Sequence, residues 1–273
     1  MVKRNIMKRL FAYNPDIKQS WKLVIYFILC YQIAGGAVSV VLRETGAATK
    51  EWASLAGSLT GFAIVTLIVI RSGKGANNVH VTTPGLSPFL WFLLVPFTLS
   101  VSLAALPPAL YIPMPDVIKQ MITDMPRNNL PGFLEIVVLA PVCEEWLYRG
   151  IILKGLLARY TPLKAIIWSS VIFSAVHLNP WQTVSAFCGA LAIGWIYWRT
   201  RSLWYCIFMH MVNNVMGFLF LVFFADTPYD ITMTELTNGC HIYLYVAILI
   251  IGILSWKGIK NILSSGTAAE ARG

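Results

Sequence analysis

Charge is what this sequence has least of. Asp, Glu, Lys and Arg supply only 12% of its 273 residues, about half the ~25% of an ordinary soluble domain. Long polar linkers, low-complexity tracts and detectable repeats are missing as well, which leaves a single domain. No C-x-x-C pair is present: of five cysteines, Cys30, Cys143, Cys188 and Cys206 lie in apolar runs and Cys240 in an expected external loop. That pattern excludes a disulfide framework and a paired cysteine metal site, so the cysteines read as small buried apolar residues. Also missing are H-E-x-x-H and a serine in G-x-S-x-G, so neither a compact zinc protease motif nor a nucleophile elbow is available.

What is present is hydrophobic sequence, 57% of the chain, gathered into long runs. A helix crosses ~30 Å of hydrocarbon in ~20 residues. Runs of that kind read at Trp21–Leu42, Ala53–Ile70, Pro88–Leu106, Phe133–Leu156, Ala165–Leu178, Val184–Trp198, Leu203–Phe224 and His241–Trp256. The expected fold is therefore an all-α polytopic membrane bundle of about eight transmembrane helices. The fifth and sixth runs are short and parted by Asn179-Pro180, the signal of a hairpin that turns near the membrane face. The first run exceeds the ~7–15 residues of a signal-peptide core and reads as a retained span.

The net charge of +9 does not point to nucleic acid, because basic residues gather in alternate loops. Lys3, Arg4, Lys8 and Arg9 precede the first run; Arg71 and Lys74, Lys154 and Arg159, Arg199 and Arg201, and Lys257 and Lys260 fall on the same side. The opposite side holds only Arg43, Lys50, Lys119 and Arg127. By the positive-inside bias both termini are cytoplasmic. This gives a basic tail over residues 1–20, an integral membrane domain over 21–257 and a tail over 258–273 expected to be disordered.

Charged residues at the centre of an inserting helix cost about 2.5–3.5 kcal/mol each, yet the fourth run holds Glu144, Glu145 and Arg149. Glu145 and Arg149 have the four-residue spacing and order of a favourable helical ion pair. Glu144 projects about 100° away, so one carboxylate can be structural while the other is free for chemistry. The fifth run sets Phe173 and His177 one turn apart, and the seventh sets His210 and Asn214 one turn apart. Any one membrane histidine is most simply a hydrogen-bonded packing residue. Two histidines, two glutamates and an asparagine on three apolar helices can satisfy one another only by converging. Asn213 sits on another face and reads as an interhelical hydrogen-bonding residue. Trp146, Tyr148, Trp195, Tyr197, Trp198 and Trp204 read as packing or interface anchors.

Such a cluster can hold a divalent metal with an open water position. Alternatively, Glu144 and His177 act on a water as general base while His210 and Asn214 donate to an oxyanion. The lack of a zinc motif, and the fitness of an amide as an oxyanion donor, favour the version without metal or other cofactor.

Three motifs in order resemble the CAAX protease and bacteriocin-processing family of intramembrane glutamic endopeptidases, which includes the eukaryotic prenyl-protein endopeptidase. Glu144-Glu145-x-x-x-Arg149 is similar to its E-E-x-x-x-R, Phe173-x-x-x-His177 to its F-x-x-x-H, and His210-x-x-x-Asn214 to its H-x-x-x-N. The resemblance covers about Leu139 to Gly217 and implies a family core over about 133–224. It implies that Glu144 and His177 activate water, that His210 and Asn214 form the oxyanion hole, and that Glu145, Arg149 and Phe173 organise the site. The implied substrate is a membrane-associated protein or peptide, the setting a lipid bilayer, and nucleic acid is no partner. The compact size fits a multi-pass protein of a bacterial plasma membrane. A non-enzymatic membrane partner or bacteriocin-immunity protein is the alternative, and a proton-coupled transporter a third, weakened by the absence of a repeat. The topology is checked by a reporter fused after Gly273: a cytoplasmic signal is expected, and an external one means an odd number of spans.

Overall fold

The computed structural model describes residues 14–72, 115–117, 120, 129–178, 180–223, 243, 246 and 250–260. Among the described residues every regular element is a helix and none is a strand, so the chain is all-α. Helix α1, Ile17–Glu44, starts where Asp16 and Gln19 cap each other. The Gln19 N–H donates to Asp16 Oδ1 at 2.7 Å and the Asp16 N–H to Gln19 Oε1 at 3.0 Å. Its middle, Cys30–Gly35, is a π segment. Helix α2 follows over Lys50–Ser72. By length and apolar composition, Ile17–Glu44 with 28 residues and Lys50–Arg71 with 22 can each cross a membrane. Pro162–Ala175 and Leu203–Leu219 are shorter apolar helices.

Residues 130–157 form one continuous helix, α3, that alternates between two windings. Leu130–Phe133, Ala140–Leu147 and Lys154–Leu157 are α-helical, while Leu134–Leu139 and Tyr148–Leu153 are π segments. Asn129 caps its start by accepting from the Gly132 N–H at 2.8 Å. Each π segment rotates the side chains that follow it relative to a pure α-helix. Helix α4, Pro162–Ala175, and helix α5, Pro180–Thr200, form an antiparallel hairpin, and α6 follows over Leu203–Phe223. Residues 250–260 are helical (α7), with the Trp256 ring 4.7 Å from that of Trp195 on α5.

Six of the expected runs fall on α1 to α6. The run at Pro88–Leu106 lies outside the described residues, as does part of His241–Trp256. Two boundaries differ from expectation for local reasons. Helix α5 begins at Pro180 itself, because proline is tolerated in a first turn whose N–H groups need no helical partner. Helix α4 ends at Ala175, ahead of His177, in a turn where Leu178 takes φ +52°. The left-handed region costs a bulky residue about 1–2 kcal/mol. Helix α7 continues through Lys260, into the segment expected to be tail; residues 261–273 and 1–13 lie outside the described residues.

The core is organised around α3. Leu147, Tyr148, Ile151, Ile152, Leu153 and Leu156 are all buried, packed among Leu23 and Val24 of α1, Val65 and Val69 of α2, Ile172 of α4, and Cys206 and Met209 of α6. The outer faces are apolar too: Ile33, Val41, Leu67, Leu163 and Phe223 are among the exposed side chains. Helices α1 and α2 meet through small residues. A Cβ on Gly35 would stand 2.6 Å from the Gly57 carbonyl oxygen, one on Gly57 would strike the Gly35 carbonyl, and one on Gly61 would reach Tyr31 Cα at 2.7 Å. Glycine alone permits this approach, as in membrane helix pairs generally. Gly57→Leu is expected to lower stability by about 1–3 kcal/mol through overpacking, read as a lower thermal midpoint in detergent. Gly36→Leu, which faces open space, is the control; equal shifts for both would mean that this contact is not close in solution.

Candidate active site

Adjacent carboxylates on α3 receive opposite surroundings because successive helical residues project about 100° apart. Glu145 is fully buried, while the Glu144 side chain keeps 28% of its exposure. The buried one is doubly engaged. Glu145 Oε1 accepts from Arg149 Nη1 at 2.8 Å and lies 2.7 Å from His210 Nδ1. Arg149, 1% exposed, sends Nη2 to the Ala190 carbonyl of α5 at 3.3 Å and lays its guanidinium 5.0 Å from the Phe173 ring centre. The buried cation is thus met by a carboxylate, a carbonyl and an aromatic face.

His210 of α6, 8% exposed, joins the two carboxylates. Since Glu145 Oε1 already serves as the acceptor for Arg149, Nδ1 of His210 donates to it. The other ring nitrogen, Nε2, then faces Glu144 at 3.8 Å from Oε2. His177 reaches the same region through the Phe173 ring, which it shares with His210.

Phe173, buried near the end of α4, touches both imidazoles edge-on. Its ring centre is 5.1 Å from that of His177 and 5.8 Å from that of His210, with Tyr148 on a further side at 4.9 Å. His177 lies beyond the helix, yet its Nδ1 sits 3.1 Å from the Phe173 carbonyl oxygen, which holds the ring against the helix end. A carbonyl only accepts, so Nδ1 carries the proton and Nε2 is the basic atom.

Asn214 stands one turn after His210, but its amide has a backbone partner. Nδ2 donates to the Ile136 carbonyl of α3 at 2.8 Å. That carbonyl is open because the Ala140 N–H goes to Glu135, five residues back, and residue 141 is a proline with no N–H. Asn213, expected to bond between helices, is exposed and donates to Asn214 Oδ1 at 3.4 Å. Trp146 meets Phe62 of α2 edge-on at 5.3 Å. Cys143 and Cys206 are buried free thiols.

Glu144, Glu145, Arg149, Phe173, His177 and His210 are thus brought together, with Asn214 beside them on α6. Among the described residues no group of three or more His, Cys, Asp or Glu side chains is placed to hold a metal ion. Sequence reasoning missed a second polar cluster. Glu135, in the first π segment of α3, accepts from Ser58 of α2 and, at 3.5 Å, from Tyr31 of α1. The available signal was a third carboxylate in the same apolar run.

Residues 126–216 match the family model described as type II CAAX prenyl endopeptidase Rce1-like. No curated protein and no solved structure matches the chain. The matched segment starts just ahead of α3 and ends two residues past Asn214, so every residue of the cluster built around Glu145 lies inside it. Over this third of the chain the protein is thus similar to the CAAX protease and bacteriocin-processing family that its motifs resemble.

Proposed function

We propose that this protein is an intramembrane glutamic endopeptidase that hydrolyses a peptide bond in a membrane-associated protein or peptide. The observation that carries this reading is the division of labour between adjacent carboxylates. Glu145 is committed to Arg149 and His210, while Glu144 stays partly exposed beside His210 Nε2, with His177 packed on the Phe173 ring that His210 also touches. The family match supports the same reaction class.

In this mechanism Glu144, assisted by the basic Nε2 of His177, takes a proton from a bound water as its oxygen attacks the scissile carbonyl. The negative charge that develops on the carbonyl oxygen is met by His210 Nε2 and by the N–H of Asn214 that does not bond Ile136. The C–N bond then breaks, and the departing amine takes the proton that Glu144 received. For His210 to donate from both nitrogens its ring must hold both protons. No metal or cofactor is required by these steps.

The setting is a multi-pass membrane protein of about eight spans with both termini cytoplasmic, a single domain over 21–257 and a bacterial plasma membrane as its home. The exposed apolar faces and the two helices of spanning length support membrane embedding. The second reading is a non-enzymatic membrane partner or bacteriocin-immunity protein that uses the same fold.

Co-expression separates these. Cells carrying wild type are expected to accumulate membrane-proximal peptides, seen by mass spectrometry, that are lost with Glu144→Gln, His177→Ala and His210→Ala. Identical profiles from folded variants would favour the non-enzymatic reading. Turnover is expected to survive exhaustive chelation; activity lost on chelation and restored by zinc would overturn the metal-free mechanism.

A further inference from the structure

Glu135 carries another carboxylate of α3, and the hydrolytic mechanism does not use it. Its Oε1 is held by the hydroxyls of Ser58 and Tyr31, which themselves lie 2.7 Å apart. Those hydroxyls come from α1 and α2, and the glycine-mediated approach of these helices is what brings them together: Tyr31 lies directly against Gly61. Glu135 lies on the same helix as Glu144, nine residues ahead of it, so this cluster and the candidate active site share α3.

The next residue links the cluster to Asn214. In a regular α-helix the Ala140 N–H would bond the Ile136 carbonyl, four residues back. Here it bonds the Glu135 carbonyl instead, and the Ile136 carbonyl is taken by Asn214 Nδ2. The π winding of Leu134–Leu139 is therefore a condition for the Asn214 contact. That segment is gripped from one side through the Glu135 side chain and from the other through the Ile136 carbonyl. Release of the first grip lets the segment relax to α winding, in which Ala140 competes with Asn214 for its acceptor.

We propose that Glu135, held by Ser58 and Tyr31, is a positioning residue for Asn214, so that the N-terminal helix pair sets the orientation of an oxyanion donor it does not touch. The activity part of this inference rests on the hydrolytic reading; the coupling between Glu135 and Asn214 does not. Full-length variants in detergent would be assayed on an internally quenched peptide ending in a farnesylated cysteine followed by three residues. Glu135→Leu is expected to lower kcat about 10- to 100-fold, the effect of a displaced catalytic group, with little change in KM. Glu135→Gln keeps an acceptor for both hydroxyls and is expected to restore most of that loss. In an Asn214→Ala background, Glu135→Leu is expected to lower kcat no further. Equal losses for Gln and Leu, or losses that multiply in the double variant, would overturn the proposal.

The second readout needs no substrate. Thermal midpoints of Glu135→Leu, Asn214→Ala and the double variant form a cycle, and residues coupled through a shared segment give less than additive shifts. Additive shifts would overturn the proposal. If Glu135→Leu does not fold, Tyr31→Phe, which removes one hydroxyl, takes its place in both series. If wild type leaves the peptide intact, or Glu144→Gln cleaves it equally well, the hydrolytic reading fails while the midpoint cycle still decides the coupling.

Discussion

Arg149 is buried in the middle of an apolar bundle, and the arrangement of the site follows from how its charge is met. A buried cation without a partner destabilises a fold by several kcal/mol, and removal of one partner from a buried pair costs about 3–5 kcal/mol. Glu145 supplies the countercharge from the preceding turn, so its position and rotamer are dictated by Arg149. The same oxygen then receives His210, which ties α6 to α3. Once Glu145 is committed, its neighbour is the carboxylate left to face the space next to both histidines.

The π segments do related work. An α-helix repeats its faces every 3.6 residues on average, and a long helix in a bundle must present different faces to several neighbours at once. Helix α3 does this by changing its winding twice, at Leu134–Leu139 and at Tyr148–Leu153. The first change exposes a carbonyl to Asn214 and turns Glu135 toward α1 and α2; the second carries Arg149 inward against Glu145, Ala190 and Phe173. Irregular winding of this kind is tolerated in an apolar interior only where side chains or other helices satisfy the displaced backbone groups, and Asn214 satisfies one of them.

Much of this was legible in the sequence. Run lengths located α1, α2, α3 and α6 to within a few residues, because hydrophobic thickness constrains helix length regardless of packing. The Glu145 and Arg149 pair followed from spacing alone, as did the separation of Glu144 from it. Three features were not legible. The link from Glu145 to His210 spans 65 positions and depends on how α6 docks. The placement of His177 in a turn rather than on α4 depends on a left-handed Leu178, a conformation that no propensity would assign to leucine. The Glu135 cluster joins three helices across a glycine contact whose partners no local pattern identifies.

Under the proposed mechanism Asn214 combines a structural and a chemical role in one side chain. An amide nitrogen has two N–H groups pointing in directions fixed by its plane. The bond to Ile136 uses one and, by fixing the plane, also directs the other. A freely rotating amide would have to be ordered at the moment negative charge develops, whereas one already anchored meets that charge without reorganisation, which is the physical source of oxyanion stabilisation. The bond to Ile136 therefore does not compete with a donor role. It is the kind of support such a role needs, and it exists because Pro141 and the π winding leave one backbone carbonyl for the side chain to use.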